Sequence, residues 1–321
     1  MAVSAPTKTP DFSGFIDETM AAPIFEKAAR LGVVPRLAQR VPLGLNGSKI
    51  PLVTGRPQAG WVGEGQAKPV NAGSMGLKHI KAEKLASIFV VSAEVARLNP
   101  AQFVDRMRNS FAETFAVSLD LAALHDIGPD GTLGAGPFST YVGQTSKSVE
   151  LGTKATNAGG LYGDLVGAMG SLVADKDASG RRYRLTGWAL DDVLEPALRG
   201  AVDANGKPIW VDLPSNDENS VLQNSRLMAR PALFGEGVAT PDLTSTVGFA
   251  GDWSQCAWGQ VGGIEYSIST EAAITINGTL TSLWENNLVA VRAETWYGFV
   301  VADPDAFVKL TNANNTPVTS A

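Results

Sequence analysis

The stretch that decides the fold runs from residue 50 to residue 126, as an extended two-armed loop followed by a long helix. The first arm holds Pro57-Gln-Ala-Gly-Trp61-Val-Gly-Glu64-Gly-Gln-Ala-Lys68-Pro69, and the second, residues 78–91, alternates basic and apolar residues. Two arms of about a dozen residues reach roughly 40 Å at 3.3 Å per residue. Because so glycine-rich a loop cannot bury itself against its own domain, we expect it to lie on another copy of the chain.

The extended loop leads into a predicted amphipathic helix. Asn99 is a favourable N-cap, and Pro100 suits the first helical turn because its missing N–H has no helical partner there. Turn-forming residues from 126 to 131 predict the end of the helix. A helix of this length spans roughly 40 Å, which is long for a compact domain and indicates a structural support. The alternative is an ordinary amphipathic helix of a globular enzyme. Its apolar stripe recurs every four residues: Phe103, Met107, Phe111, Phe115 and Leu119.

The composition is that of a folded chain without a disulfide framework. The 321 residues are 44% hydrophobic and 18% charged. The single cysteine, Cys256, cannot form a disulfide within the chain, which is consistent with assembly in a reducing cytoplasm. The net charge of −6 argues against a high-affinity nucleic-acid binder, since such proteins usually carry a basic face. Neither a signal peptide nor a membrane span is predicted.

The rest of the chain has mixed α and β patterns. Residues 1–13 are expected to form a flexible arm, and residues 15–31 have helical spacing. An amphipathic helix is predicted over 161–174, and a short helix over 191–199 has acidic residues at its start and Arg199 at its end. Strands are predicted in pieces over 33–52 and at 183–188, 228–234, 246–250, 264–269, 283–295 leading into 297–301, and 306–310.

Residues that could carry catalysis are sparse. His79 lies among lysines, as on a solvated loop, and His125 lies at a predicted helix C-terminus, where the helix dipole favours a cation. Cys256 has no recognisable histidine partner, so a buried apolar role is favoured. The sequence contains neither a G-x-S-x-G nor an H-E-x-x-H motif. We therefore predict no catalytic, cofactor-binding or metal-binding residues.

Three further patterns have structural explanations. Residues 175–180 begin like a calcium loop, but the twelfth position holds Thr186 instead of a bidentate glutamate, so a helix-ending turn is expected. Residues 200–208 lack the spacing of a phosphate loop. Clustered carboxylates occur at the start of the predicted short helix, which explains them without catalysis: Asp191, Asp192 and Glu195.

The order of motifs resembles the tailed-phage major capsid proteins of the HK97-fold family. The resemblance covers nearly the whole chain and rests on motifs that are specific together rather than singly. They are Ala59-Gly-Trp61-Val-Gly-Glu64-Gly-Gln-Ala-Lys68-Pro69, Lys84-Leu-Ala-Ser-Ile-Phe-Val-Val-Ser92-Ala-Glu94, Gly128-Pro-Asp-Gly131-Thr132, Gly251-Asp252-Trp253-Ser254-Gln255 and Asn286-Asn-Leu-Val-Ala-Val-Arg292-Ala-Glu294. The resemblance implies an α+β, HK97-like capsid fold with an N-arm, an extended β-hairpin loop (E-loop), a P-domain built on a long spine helix, and an A-domain.

The resemblance also implies a division of the chain. The N-arm would be residues 1–34, the E-loop 49–87, the P-domain 35–48 with 88–132 and 268–297, and the A-domain 133–267 with 298–321. Many relatives carry a scaffolding domain ahead of the N-arm, for which this sequence has no room. A separate scaffolding protein, or none, is therefore expected.

The function implied by the resemblance is structural. The chain would be the major capsid protein of a tailed phage, forming pentamers and hexamers in an icosahedral shell around double-stranded DNA that it does not bind sequence-specifically. Portal and decoration proteins would be partners, no membrane or cofactor would be needed, and assembly would take place in the bacterial cytoplasm. The alternatives are an encapsulin-type bacterial compartment of the same fold and a soluble enzyme of an unrelated class.

Inter-subunit contacts are expected on the E-loop and N-arm, with Trp61 anchoring the loop on a neighbour, as buried aromatic residues do at interfaces. The expected contact residues are Phe15, Phe25, Trp61, Glu64, Lys68 and Lys78.

Covalent crosslinking is not expected. Some capsids of this family form Lys–Asn bonds, and the resemblance places Lys78 near the lysine position, Asn286 near the asparagine and Ala293 at the catalytic glutamate. A buried lysine needs a base to become nucleophilic. Glu294 is adjacent to Ala293, but along a strand it points to the opposite face.

Overall fold

The computed structural model describes residues 32–55, 59–68, 70, 73–98, 103–128, 130–155, 159–177, 179–202, 210–211, 225–239, 246–276 and 278–312. The predicted helix over 15–31 and the predicted cap at Asn99 and Pro100 lie outside these residues. In chain order the elements are α1 Val34–Leu37, β1 Gln39–Arg40, β2 Ser48–Gly55, β3 Ser74–Ile80, β4 Glu83–Ser92, α2 Ala93–Leu98, α3 Phe103–His125, β5 Ser148–Glu150, α4 Gly160–Ala174, β6 Gly187–Leu190, α5 Glu195–Gly200, β7 Trp210–Val211, β8 Ser225–Leu227, β9 Arg230–Phe234, β10 Thr246–Gly251, β11 Cys256–Ser269, β12 Ala273–Ile276, β13 Thr279–Ser282, β14 Leu288–Val301 and β15 Phe307–Thr311.

The extended loop is an antiparallel hairpin of β2 and β3, in which Ser48 pairs with Ile80 and Val53 with Met75. The expectation that residues 78–91 form one continuous second arm is wrong. The chain leaves the hairpin after Ile80, and β4 pairs with β14 instead. The change of partner occurs there because Ile80 is fully buried against Leu43 and Val300 and fixes the hairpin base to the body.

A four-stranded sheet in the order β1-β11-β14-β4 supports the long helix α3. One face meets the apolar stripe of α3, where the Phe89 and Phe111 ring centroids lie 5.3 Å apart and Ala293 packs with Phe111 and Phe115. The β12–β13 hairpin covers part of the other face, around Leu288. The long helix therefore packs along one face of a sheet, which agrees with the supporting role that its length predicted.

A seven-stranded sheet in the order β5-β15-β10-β6-β9-β8-β7 contains most of the main core. Trp188 on β6 and Trp253, in the 3-10 turn before β11, are buried in this core, and the Trp253 ring meets Phe307 edge-on at 5.2 Å. The paired strands β11 and β14 of the four-stranded sheet begin in this core. Cys256 and Val301 at one end of the pair belong to the main core, and Ile268 pairs with Val291 toward the other end.

Several predicted elements differ in detail from the structure. The helix predicted over 161–174 is α4, and α3 ends at His125, as the turn residues predicted. The strand predicted over 228–234 is instead the turn and second strand of a hairpin, because Met228 and Ala229 adopt positive φ angles of 51° and 62°. The strand predicted over 183–188 begins only at Gly187.

Candidate inter-subunit surfaces

One face of the β2–β3 hairpin is apolar and uncovered. Val53 pairs with Met75 and Pro51 with Leu77, so the four side chains lie together on one face. Val53, Met75 and Leu77 are 55%, 72% and 68% exposed. An exposed contiguous apolar patch of this kind marks an interaction site.

The tip of the hairpin presents a single large aromatic side chain. Trp61 is fully exposed, and Val70 is nearly so. A turn closes between Gly63 and Gln66, whose N–H donates to the Gly63 carbonyl at 3.2 Å, and Gly65 has a φ of +78° that suits glycine. Trp61 lies just before this turn, and no residue in the described part of the chain covers its indole.

The charged residues predicted for this loop occupy different places on it. Glu64 and Lys68 are exposed at the tip. Lys78 lies lower on β3, opposite Ile50, and is half-buried. His79 is exposed opposite Lys49, as expected for a solvated face. The structure thus brings Trp61, Glu64 and Lys68 to one end of the hairpin and keeps Lys78 away from them.

A second exposed apolar site lies beside the β12–β13 hairpin and was not predicted from the sequence. Leu280 and Trp284 are 71% and 75% exposed, while Leu283 between them in sequence order is fully buried. Residues 283–287 form a turn rather than the start of the predicted strand, and Asn287 has a φ of 50°. The turn-forming pair Asn286-Asn287 directly after Leu283 and Trp284 is the sequence signal that could have revealed this turn and its exposed tryptophan.

The point where the N-terminal segment joins the body is tied to α3. The Asp120 carboxylate accepts hydrogen bonds from the backbone N–H groups of Val33 and Val34, at 2.6 and 2.9 Å. Burial raises the pKa of Asp120 to about 7 even though both N–H donors act in the opposite direction. Phe15 and Phe25, the predicted contacts of the N-arm, lie outside the described residues.

Comparisons with known proteins agree with this geometry. Residues 13–312 match the Phage capsid family. The chain is 39% identical over 307 residues to the probable major capsid protein gp17 of Mycobacterium phage D29, covering 94% of this chain and 91% of the relative. It is 38% identical over 315 residues to the corresponding protein of Mycobacterium phage L5, with 95% and 91% covered.

The chain belongs to the phage capsid family. Solved structures from Gordonia phage Cozz and Mycobacterium phage Ogopogo superpose with TM-scores of 0.71 and 0.69 at 23% and 22% identity. They cover 95% and 94% of this chain, and 94% and 99% of their own chains. The α+β, HK97-like capsid fold predicted from the sequence is confirmed.

At the position to which the resemblance assigned a catalytic glutamate, the chain has a small buried residue. Ala293 is fully buried against Phe111 and Phe115. Glu294 lies on the other face, where Lys84 at 2.7 Å and Arg292 at 3.2 Å approach its carboxylate and lower its pKa. The absence of crosslinking stays a prediction, and this arrangement supports it.

The other residues considered for chemistry have structural roles in this family member. His125 is buried at the end of α3, where its Nε2 donates to the Val238 carbonyl at 2.7 Å, and burial lowers its pKa, in the direction opposite to the preference of the helix dipole. Burial raises the pKa of the Cys256 thiol. Asp191 accepts a hydrogen bond from the Val193 N–H at 2.9 Å and caps a short 3-10 helix, and Asp177 accepts from the backbone N–H groups of a turn.

The described part of the chain contains no cluster of three or more potential metal-ligating residues. None of its described helices has the length and hydropathy needed to cross a bilayer.

Proposed function

We propose that the chain is the major capsid protein of a tailed phage and assembles as pentamers and hexamers into an icosahedral shell around double-stranded DNA. The observation that carries the proposal is the β2–β3 hairpin, whose apolar face and exposed Trp61 have no partner within the described chain. A second copy supplies that partner. Membership of the Phage capsid family and the capsid names of the relatives agree with this role.

The mechanism of such a protein is assembly rather than catalysis. Each subunit would dock its hairpin on one neighbour, receive another hairpin, and tie capsomers together through its N-arm. Individual contacts of this kind are weak, but each subunit makes many of them, so a closed shell gains stability from multiplicity. One sequence must fit pentamers and hexamers, and the glycines at the hairpin tip give the loop freedom to adapt.

The proposal extends to the division into domains and to the partners. With the bounds given above, the P-domain would hold α3, most of β14 and the second half of β4, and the A-domain would hold the seven-stranded sheet and most of β11. A separate scaffolding protein, a portal, decoration proteins and packaged DNA are proposed partners, with assembly in the bacterial host cytoplasm. The net charge of −6 fits a shell that encloses DNA without holding it tightly. The relatives named above come from phages, which favours the capsid over an encapsulin-type compartment.

Negative-stain microscopy and gel filtration of the protein expressed alone test the proposal. Closed polyhedral shells would support it and show that no scaffold is required. Tubes, irregular shells or free capsomers would support the capsid role and indicate a missing scaffolding partner. A clean monomer or small dimer at high concentration would contradict it.

A further inference from the structure

A small apolar groove opens on the α3 side of the four-stranded sheet. Its volume is about 270 Å³, and it lies between the last turns of α3, the loop that follows and the edge of the sheet. Its apolar lining includes Leu85, Leu121, Ile127, Pro137, Phe138 and Tyr297.

The groove has the size and polarity of a receptor for one large side chain. Drug-sized ligands occupy pockets of about 300 Å³ or more, so the groove is small for such a ligand. Leu85, Leu121 and Tyr297 are only half-buried along it. Covering them with another apolar group would remove further apolar surface from water. Glu83, also in the lining, supplies a carboxylate that can accept a hydrogen bond.

The tip of the hairpin does not occupy the groove of its own chain, since Trp61 is fully exposed and is not among the lining residues. Glu83 and Leu85 follow directly after the hairpin base at Ile80, so the groove lies at the base of the hairpin. The strands carry the tip away by about 25 Å, at 3.3 Å for each of eight residues. A contact between tip and groove is therefore absent within the chain and would be made between two copies.

We propose that the groove of one copy receives the Trp61 indole of a neighbouring copy. This pairing rests on the proposed shell function and names the receiving surface for the hairpin. An indole has a large apolar body and one N–H that needs an acceptor, which matches an apolar groove with Glu83 in its lining. The glycines at positions 60, 63 and 65 allow the backbone of the tip to approach closely.

Trp284 is the other exposed tryptophan among the described side chains, and it is a poorer candidate for entering the groove. It sits in the turn beside the β12–β13 hairpin, which packs on the opposite face of the sheet from α3. The neighbouring Leu283 is fully buried, so this turn is held against the body rather than projected outward.

A disulfide experiment tests the pairing directly. Val62→Cys places a thiol beside Trp61 and leaves the indole intact, and Ala135→Cys places one at an exposed position of the groove lining. Native Cys256 is fully buried and stays in place. The double variant is assembled, oxidised and separated by denaturing electrophoresis without reductant. A disulfide requires Cα atoms within about 7 Å, so a ladder of linked chains is the expected result.

The matched control pairs Val62→Cys with Ser254→Cys. Ser254 is exposed and lines a different groove, together with Leu37 and Trp253. This control is expected to remain monomeric on the gel. Intact shells without a ladder for the Ala135 pair, or with a ladder only for the Ser254 pair, would overturn the pairing and leave the shell function standing. A wild-type chain that never assembles would overturn both.

A second measurement does not depend on introduced thiols. Trp61→Ala is expected to raise the protein concentration needed for assembly by about 30-fold, the factor of a hot-spot residue. Trp61→Phe, which keeps an aromatic ring, is expected to recover most of that loss. Ala135→Trp introduces an indole at the groove of the same chain and is expected to impair assembly. In the double variant Ala135→Trp with Trp61→Ala, the loss is expected to be smaller than the sum of the two single losses. Unchanged assembly of Trp61→Ala would overturn the proposal.

Discussion

The seven-stranded sheet and the β2–β3 hairpin use the same kinds of side chain in opposite ways. In the core around the sheet, Trp188 and Trp253 are buried within one chain. In the hairpin, Met75 and Leu77 are mostly exposed and Trp61 is entirely so. A buried apolar side chain stabilises the folded state, whereas an exposed one contributes only when a partner covers it. The sheet is therefore completed by folding, and the hairpin by assembly.

The largest expected effect concerns the core around the seven-stranded sheet, which folding alone completes. Trp253 packs edge-on against Phe307, and its Nε1 donates to the Gly187 carbonyl at 3.0 Å. We expect Trp253→Ala to lower the free energy of unfolding of the unassembled subunit by about 4 kcal/mol, because it leaves a cavity and removes a buried hydrogen bond. Urea unfolding measures this. A loss below about 1 kcal/mol would show that the sheet is not a close-packed core.

The next effect concerns the junction between the N-terminal segment and α3. The pKa of Asp120 is about 7 in the folded protein, well above the ordinary value of 3.8, because its carboxyl is buried. A raised folded-state pKa means that the folded protein binds the proton more tightly than the unfolded chain. The stability from this group is therefore present at low pH and is lost as the pH rises from about 4 to 7, by at most about 1.4 kcal/mol per pH unit.

Asp120→Asn isolates this dependence, because the amide does not titrate. The unfolding free energy of the wild type minus that of the variant is expected to fall as the pH rises through this range. Denaturant titrations of both proteins at pH 5, 6 and 7 measure the difference. A constant difference would mean that Asp120 keeps an ordinary pKa.

A smaller effect tests the half of the comparison that depends on assembly. Leu77→Ser on the exposed hairpin face should leave the stability of the isolated subunit within about 0.5 kcal/mol of the wild type, since the side chain is already in water. We expect the concentration needed for assembly to rise about tenfold, which corresponds to about 1.4 kcal/mol per subunit. Light scattering during assembly measures it. Val193→Ser, at an exposed position outside the hairpin, serves as the control.

The last prediction is that no covalent bond forms between subunits. Because the carboxylate nearest Ala293 in sequence lies on the other face of the sheet beside Lys84, we expect no Lys–Asn bond between subunits. Denaturing electrophoresis of mature particles should give a single band at the monomer mass of 33.6 kDa. Ladders in the wild type would show that another residue acts as the base.

The sequence was sufficient for the elements with strong local signals. The apolar stripe of α3 and the turn residues after it predicted the helix and its end, and the glycine-rich loop predicted an extended hairpin. It was not sufficient where long-range packing decides. Nothing local shows that Ile80 is buried against Val300 and so ends the hairpin, or that His125 is buried so that its pKa falls.

The candidate site was predicted only in part. Trp61, Glu64 and Lys68 occur in a run that identifies the loop tip, and the structure exposes all three. The apolar face of Met75 and Leu77 was missed because it arises only when β2 and β3 pair in register. Trp284 was missed because the turn before β14 was interpreted as strand.

The continuous strands β11 and β14 carry a mechanical consequence. They are paired from Cys256 and Val301, whose side chains belong to the main core, to Ser269 and Ala290 near the β12–β13 hairpin, so the main core and the four-stranded sheet share one covalent spine. Internal pressure on a shell wall built from such subunits would be transmitted along peptide bonds rather than across a domain seam. The register shifts between Val261 and Glu265, where Gly262 has a φ of +67°, and this bulge is the place where that spine bends most easily.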